Sequence, residues 1–255
     1  MPTDNLVQSV DRALQILEIV SSRKEGYGVT EISKKMLLNK TSVYRMLSTL
    51  VKHGLVEQDA ETERYKLGYR VLELSSTLLD SIDLRVEAKQ FLKELENITN
   101  EVIHLVVYDR GEVVYIEKLE GTETLRTHSR VGTRAPMHCT SLGKAILAHL
   151  PTSEVSEIIE KYGLPKHTDK TITDKDVLLK QLIKIREQGY AVEFEENEPG
   201  VNCIASPIFD HTGKVVAAVS ISGPAMRMTK QRLNELKDKI IDISQKISNR
   251  LGYRR

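Results

Sequence analysis

The sequence has no tryptophan, three phenylalanines and two cysteines in 255 residues. Its cores must be packed mainly from aliphatic side chains, and stacking of single-stranded nucleic acid on aromatic rings has little material to draw on. Cys139 and Cys203 are too few for a disulfide framework and lack metal-ligand spacing, which fits a reducing compartment. His104, His128, His138 and His149 show no i, i+4 pairing, so neither a metal nor a cofactor is expected. No apolar run approaches the roughly 20 residues that span a bilayer, and Met1-Pro-Thr-Asp-Asn5 does not open a signal sequence. The expectation is a cytoplasmic protein without membrane contact. Catalytic signatures are missing as well: there is no Gly-x-Ser-x-Gly elbow and no phosphate-binding glycine loop. Cys139 beside His138, or Cys203 with a distant histidine, would be the nucleophile and base of an enzyme, but adjacency in sequence does not produce that geometry.

Net charge is nearly absent overall, at +1, yet it is unevenly placed. Residues 1–70 carry 11 Lys or Arg against 9 Asp or Glu, and the remainder 26 against 27. Between Ser33 and Val56 stand Lys34, Lys35, Lys40, Arg45 and Lys52 with no acid at all, a local basic surface of the kind that meets nucleic acid.

That stretch is patterned as a DNA-reading device. Val29, Ile32 and Met36 mark one face of a short helix, and Leu37-Leu38-Asn39 interrupts it. From Lys40 the apolar residues Val43, Met46, Leu47, Leu50 and Val51 recur at helical spacing, opposite Thr41, Ser42, Tyr44, Arg45, Ser48 and Lys52. Asn39 is placed to cap this second helix, which sets Lys40, Thr41 and Ser42 in the turn that touches base edges and phosphates. Leu55 to Asp59 and Arg64 to Leu67, joined by Ala60 to Glu63, read as a two-stranded wing with Tyr65 and Leu67 facing in and Arg64 and Lys66 facing out. A helix from Ser9 to Ser22 precedes them. The expected DNA contacts are Asn39, Lys40, Thr41, Ser42, Tyr44, Arg45, Ser48, Arg64 and Lys66.

Beyond the wing the pattern changes. Residues 69–84 read as a linker helix with a broad apolar surface, suited to join domains or to meet a second copy. Arg85 to Thr99 continues as a helix. Strand signals follow at Val102–Tyr108, Val113–Lys118 and Thr124–Arg130, helices at Ser141–His149, Glu154–Tyr162 and Asp174–Gln188, strands again at Tyr190–Glu195, Val201–Phe209 and Lys214–Ser222, and a last helix capped by Thr229. Strands on both sides of a helical block predict an α+β domain on an antiparallel sheet whose concave side holds a ligand pocket.

With both halves in view, the chain resembles the isocitrate lyase regulator (IclR) family of bacterial transcription regulators over nearly its whole length. The resemblance is carried by Ser9-Val-Asp-Arg-Ala-Leu-Gln-Ile-Leu17, Lys40-Thr-Ser-Val-Tyr-Arg45, Leu142-Gly-Lys-Ala145, Gly200-Val-Asn-Cys-Ile-Ala-Ser-Pro-Ile-Phe-Asp210 and Val216-Ala-Ala-Val-Ser-Ile-Ser-Gly223. It implies an α+β protein with an N-terminal winged helix-turn-helix (1–68), a linker helix (69–84) and a C-terminal GAF-like effector-binding domain with an antiparallel sheet (85–255). It also implies a homodimer, or a tetramer built as a dimer of dimers, on double-stranded operator DNA. Within the family the chain is most similar to regulators of 2-keto-3-deoxygluconate and pectin breakdown, through Ile103-His-Leu105, Tyr115-Ile116, Leu125-Arg126, Ser129-Arg-Val-Gly132, Thr171-Ile172 and Gly252-Tyr253. It departs from them at His138-Cys-Thr-Ser-Leu142 and Val201-Asn202.

The family's effector pocket falls on Ser141, Leu142, Glu193, Val201, Cys203, Ser220 and Ser222. In this reading free N–H groups at the start of the helix from Ser141 take a carboxylate. Ser220 and Ser222, two apart on one strand, share a face and donate to the ligand, while an ionised Glu193 accepts from its hydroxyls. The set suits a small hydroxylated organic acid, with 2-keto-3-deoxygluconate as first candidate. The expected function is a repressor of sugar-acid (2-keto-3-deoxygluconate, pectin or hexuronate) catabolic genes and not an enzyme. The alternatives are a regulator of another carboxylate or aromatic-acid pathway, a cysteine-dependent enzyme, and an architectural DNA binder whose second domain only oligomerises.

Overall fold

The computed structural model describes residues 6–74, 83–121 and 129–254. It divides into two compact units, Met1–Ile82 and Asp83–Arg255.

In the first unit α1 (Gln8–Ser21), α2 (Val29–Met36) and α3 (Lys40–Lys52) precede a hairpin of β1 (Val56–Gln58) and β2 (Tyr65–Leu67). Leu37 ends α2 in the left-handed conformation, and Asn39 starts α3 by accepting the Ser42 N–H at 2.8 Å. Those two local events make the turn between the helices. Ile16, Val20, Ile32, Val43, Leu47, Leu50, Val56, Tyr27 and Tyr65 form the core. Two expectations of the sequence are corrected here. Leu67 and Val51 are exposed, not inward; on β2 it is Tyr65, bridged to Tyr27, that is buried in the core. Residues 70–74 are helical; most of the expected linker helix lies outside the described residues.

The second unit opens with α4 (Leu84–Thr99), whose N-cap Asp83 accepts the Arg85 N–H at 2.8 Å. Then come β3 (Val102–Asp109), β4 (Glu112–Leu119), β5 (Arg134–Pro136), α5 (Ser141–Leu147), α6 (Thr152–Tyr162), α7 (Lys175–Gln188), β6 (Ala191–Phe194), β7 (Val201–Phe209), β8 (Val215–Pro224) and α8 (Lys230–Arg250). Thr229 caps its helix as expected, and Asp174, read as the first residue of its helix, is instead the N-cap, with Gly189 ending it in the left-handed conformation. Of the strand expected at 124–130, residues 124–128 lie outside the described residues; the strand beside β4 is β5, which was not expected from the sequence.

Six antiparallel strands run in the order β5-β4-β3-β8-β7-β6. Helices α4 and α8 pack together, tied by Lys246–Glu94 at 3.0 Å and Arg250–Glu87 at 2.6 Å. The Ser206–Ser244 hydrogen bond at 2.7 Å places α8 on the face of β7 that carries Ser206. Residues 203 and 205 therefore face the other way, toward α5. Helix α5 is buried along its whole length. It comes so close that a Cβ on Gly143 would lie 2.4 Å from Met137 backbone atoms, which only glycine avoids.

Candidate functional sites

In the first unit the outward stripe of α3 carries Thr41, Arg45, Ser48 and Lys52, flanked by exposed Tyr44 and Lys40. Lys40 and Arg45 form no ion pair with any described residue. The other expected contacts are differently placed. Asn39 gives its oxygen to the cap, and the Ser48 hydroxyl donates to Tyr44 O at 2.9 Å, as helical serines commonly do. Ser42 is half-buried, with its N–H on Asn39. Arg64 pairs with Glu31 at 2.8 Å and Lys66 with Glu57 at 3.2 Å, so the wing's cations already face acids of their own domain. The least committed positive charge thus lies on α3.

In the second unit, strand register assembles a cavity. Glu193 on β6 is paired with Cys203 on β7, and Cys203 with Ser222 on β8. One row on, Ala205 pairs with Ser220 and Ser220 with His104 on β3. Side chains of neighbouring strands in one row stand about 5 Å apart, so residues from four strands converge under α5. They line a cavity of about 230 Å³ with Tyr115, Ser129, Thr140, Ser141, Leu142, Asn197 and Val201.

Six of the seven expected pocket residues line this cavity; Ser220 does not. It is fully buried behind Ser222, 3.4 Å from the Ser222 hydroxyl and 3.5 Å from His104 Nδ1. His104, which the sequence reading set aside as structural, lines the cavity, with Nδ1 3.3 Å from Ser222 Oγ and Nε2 2.7 Å from Ser129 Oγ. Burial, helped by the Lys118 charge, holds His104 down at about 3, so its ring is neutral and offers one donor and one acceptor. Its signal in the sequence was its place in a strand in phase with the cavity face.

The α5 start is also corrected. Its Ser141 N–H is not free: it donates to Glu193 Oε2 at 3.3 Å, and the Gly143 N–H donates to Thr140 Oγ1 at 3.0 Å. Glu193 is not a plainly ionised acceptor either, since burial pushes its carboxyl up to about 7. Next to it, Lys144 is completely buried and holds Glu196 through both carboxylate oxygens, at 2.6 and 2.7 Å. The sequence reading quoted Lys144 only as part of a motif.

The cysteine-enzyme reading fails on chemistry. Burial and the Glu193 charge raise both thiols, Cys139 to about 12, which leaves no thiolate to attack. The Cys139 thiol donates to Asn197 Oδ1 at 3.5 Å. His138, Cys139 and His167 do bring their ligand-type atoms within 4.8 Å of one another, a grouping hidden in the sequence. The His138 Nε2–H donates to Pro165 O at 3.0 Å, which leaves Nδ1 as that ring's acceptor. No helix among the described residues is long and apolar enough to cross a membrane.

A winged helix-turn-helix with an open basic helix face, followed by a domain with a cavity lined by hydrogen-bonding side chains, defines a DNA-binding regulator of two-domain type. The chain belongs to the IclR family: residues 9–60 match the IclR helix-turn-helix domain and residues 76–249 the C-terminal domain of bacterial transcriptional regulator IclR. It is similar to the HTH-type transcriptional regulator XynR of Escherichia coli, 38% identical over 97% of this chain and 98% of that protein. The regulator KdgR of the same organism is 38% identical over 97% of this chain and 94% of its own length. Among solved structures, the Thermotoga maritima IclR is 35% identical with a TM-score of 0.66, covering 97% of this chain and all of that one. Pseudomonas aeruginosa HmgR gives 26% and 0.82, over 97% and 99%. The protein is a transcriptional regulator and not an enzyme.

Proposed function

We propose that this regulator represses sugar-acid catabolic genes from double-stranded operator DNA, under control of a small hydroxylated organic acid bound in the cavity of the second domain. The observation that carries the effector reading is the cavity itself, where neutral His104, Ser222, Ser129 and Asn197 offer hydrogen-bonding groups to hydroxyl and keto oxygens beside the carboxyls of Glu193 and Glu198. Kinship with proteins named KdgR and XynR supports a sugar acid, with 2-keto-3-deoxygluconate as first candidate. In this reading residues 69–84 link reader to sensor in the cytoplasm. The chain works as a homodimer or a dimer of dimers, because two half-sites about 34 Å apart need two reading helices. Exposed Leu6, Val7, Val10 and Leu14 on and before α1 recur at helical spacing and offer an apolar face for a second copy.

The test is thermal denaturation with operator titration. At 100 times its Kd, 2-keto-3-deoxygluconate should add about 2.7 kcal/mol of stability and shift operator affinity in the same experiment. A panel of sugar acids that moves neither quantity rejects the reading.

Two variants refine it. Arg45→Ala should weaken operator binding by about 1–3 kcal/mol with loss of preference at one position if Arg45 reads a base, or weaken all sequences and lower the salt slope by about one if it holds a phosphate. The fold should persist, since Arg45 lies opposite Val43 and Leu47; unchanged affinity removes it from the interface. Ser222→Ala should raise the effector concentration for half-response about tenfold, through loss of a hydrogen bond worth about 1.4 kcal/mol. Ser220→Ala, one layer behind, should do less in isothermal calorimetry; the reverse order would mean that the hydroxyl behind the wall meets the ligand.

A further inference from the structure

Two carboxyls, Glu193 and Glu198, line the effector cavity against one guanidinium, Arg134. Two carboxylates, Glu193 and Glu196, share the neighbourhood of one ammonium, and Glu196 takes it: both its oxygens lie within 2.7 Å of Lys144 Nζ. Glu193, 3% exposed, accepts from Ser141 N–H at 3.3 Å and Asn197 N–H at 3.2 Å, both long for charge-assisted bonds, and otherwise meets the neutral Cys203 thiol. The titratable groups packed around it are Lys144 on α5, Cys139 just before α5, Cys203 on β7, Tyr115 on β4, and Glu196 and Glu198 after β6. Lys144 is the one cation among them. Arg134 also lines the cavity, but its guanidinium is engaged by Asp109 and Glu112.

An organic anion entering this cavity therefore meets a carboxylate and no uncommitted cation among the described residues, and the Ser141 amide it would use is already occupied. Two carboxylates held together at a buried position cannot readily both stay ionised; one proton between them turns repulsion into a strong hydrogen bond.

We propose that the cavity binds an organic monocarboxylate as a proton-sharing pair with Glu193, so that Glu193 admits the effector only in its protonated form. The proposal rests on the reading of this cavity as the effector site. The proton is readily available: burial already pushes the ligand-free Glu193 carboxyl up to about 7, against the opposing pull of Asn197, Lys144 and Ser141. The sign follows directly. Below about pH 7 Glu193 carries its proton beforehand and binding exchanges none. Above it, each bound anion brings one proton from solvent, and affinity falls up to tenfold per pH unit until the pair's own, higher pKa is reached.

The test is isothermal calorimetry of the full chain with 2-keto-3-deoxygluconate at pH 6.0 and 8.5, in buffers of different ionisation heat. Kd should be on the order of tenfold weaker at pH 8.5. Proton uptake should approach one there and be close to zero at pH 6.0. Glu193→Gln, which cannot ionise yet keeps a donor for the ligand, should bind with the same Kd at both. As a readout free of ligand and variant, carbon NMR of glutamate-labelled wild type should show one carboxyl titrating near 7, far from exposed glutamates at about 4.3. Equal wild-type Kd at both pH values, no proton uptake, or no such carboxyl overturns the proposal while the effector reading stands. Absence of binding at both pH values overturns both.

Discussion

Replacing Lys144 with Met should lower the stability of the second domain by about 3–5 kcal/mol, the usual cost of leaving one partner of a buried ion pair alone. Met preserves the length and packing of the lysine stem, so the loss reports charge and not a cavity. The abandoned carboxylate is Glu196, almost as buried as Lys144 itself. Its backbone carbonyl is fixed by Thr171 Oγ1 at 2.6 Å, so it has little freedom to swing out to water. Scanning calorimetry of the intact chain should show the larger transition moving down by many degrees while that of the DNA-reading unit, with its separate core, stays in place. Adding Glu196→Leu should recover much of the loss, because an apolar pair of similar volume carries no desolvation cost. A single variant within 1 kcal/mol of wild type would mean that water or a movement of the loop after β6 rescues Glu196, and the pair would lose its place as the pin of α5.

The second large effect concerns avidity. A fragment ending at Gly68 keeps the three helices, the wing and their core, yet should bind a two-half-site operator roughly 10²–10⁴ times more weakly than the full chain, since the second reading head no longer arrives at high effective concentration. Fluorescence anisotropy at one fixed salt concentration measures this, and salt must be fixed because phosphate neutralisation makes protein–DNA affinity strongly salt-dependent. Similar affinities for fragment and full chain would show that each head binds alone, and the apolar face around Val10 and Leu14 would need another occupant.

The two units differ in how far their sites could be read from the chain. The recognition helix was legible because every determinant is local: Asn39 caps three residues ahead, Leu37 turns the chain, and the 3.6-residue period sorts Val43, Leu47 and Leu50 from Thr41, Arg45 and Lys52. The wing was legible as a hairpin but not as a charge surface, since whether Lys66 is available depends on the register that sets it opposite Glu57. In the second unit the strands from Val201 and Val215 and the helices capped by Asp174 and Thr229 announced themselves. The three-residue β5 did not, because it is too short to show a period and is a strand only by virtue of β4 beside it.

What the sequence determined by itself was most of the elements, their order and the basic face of α3, which follow from periodicity and capping acting over a few residues; the cavity-wall residues were implied by the family resemblance. Only the tertiary structure decided which of those wall residues face space and which charges neutralise one another. Ser141 and Glu193, like Lys144 and Glu196, are 52 positions apart, and a one-residue slip of β6 against β7 would turn Glu193 away from Cys203 and out of the cavity. The loop after β6 must then return to lay Glu196 on Lys144. Register and that return are set by packing of the whole domain, so the protonation of Glu193, left without the ammonium that Glu196 has taken, is a property of the fold and is written in no stretch of the chain.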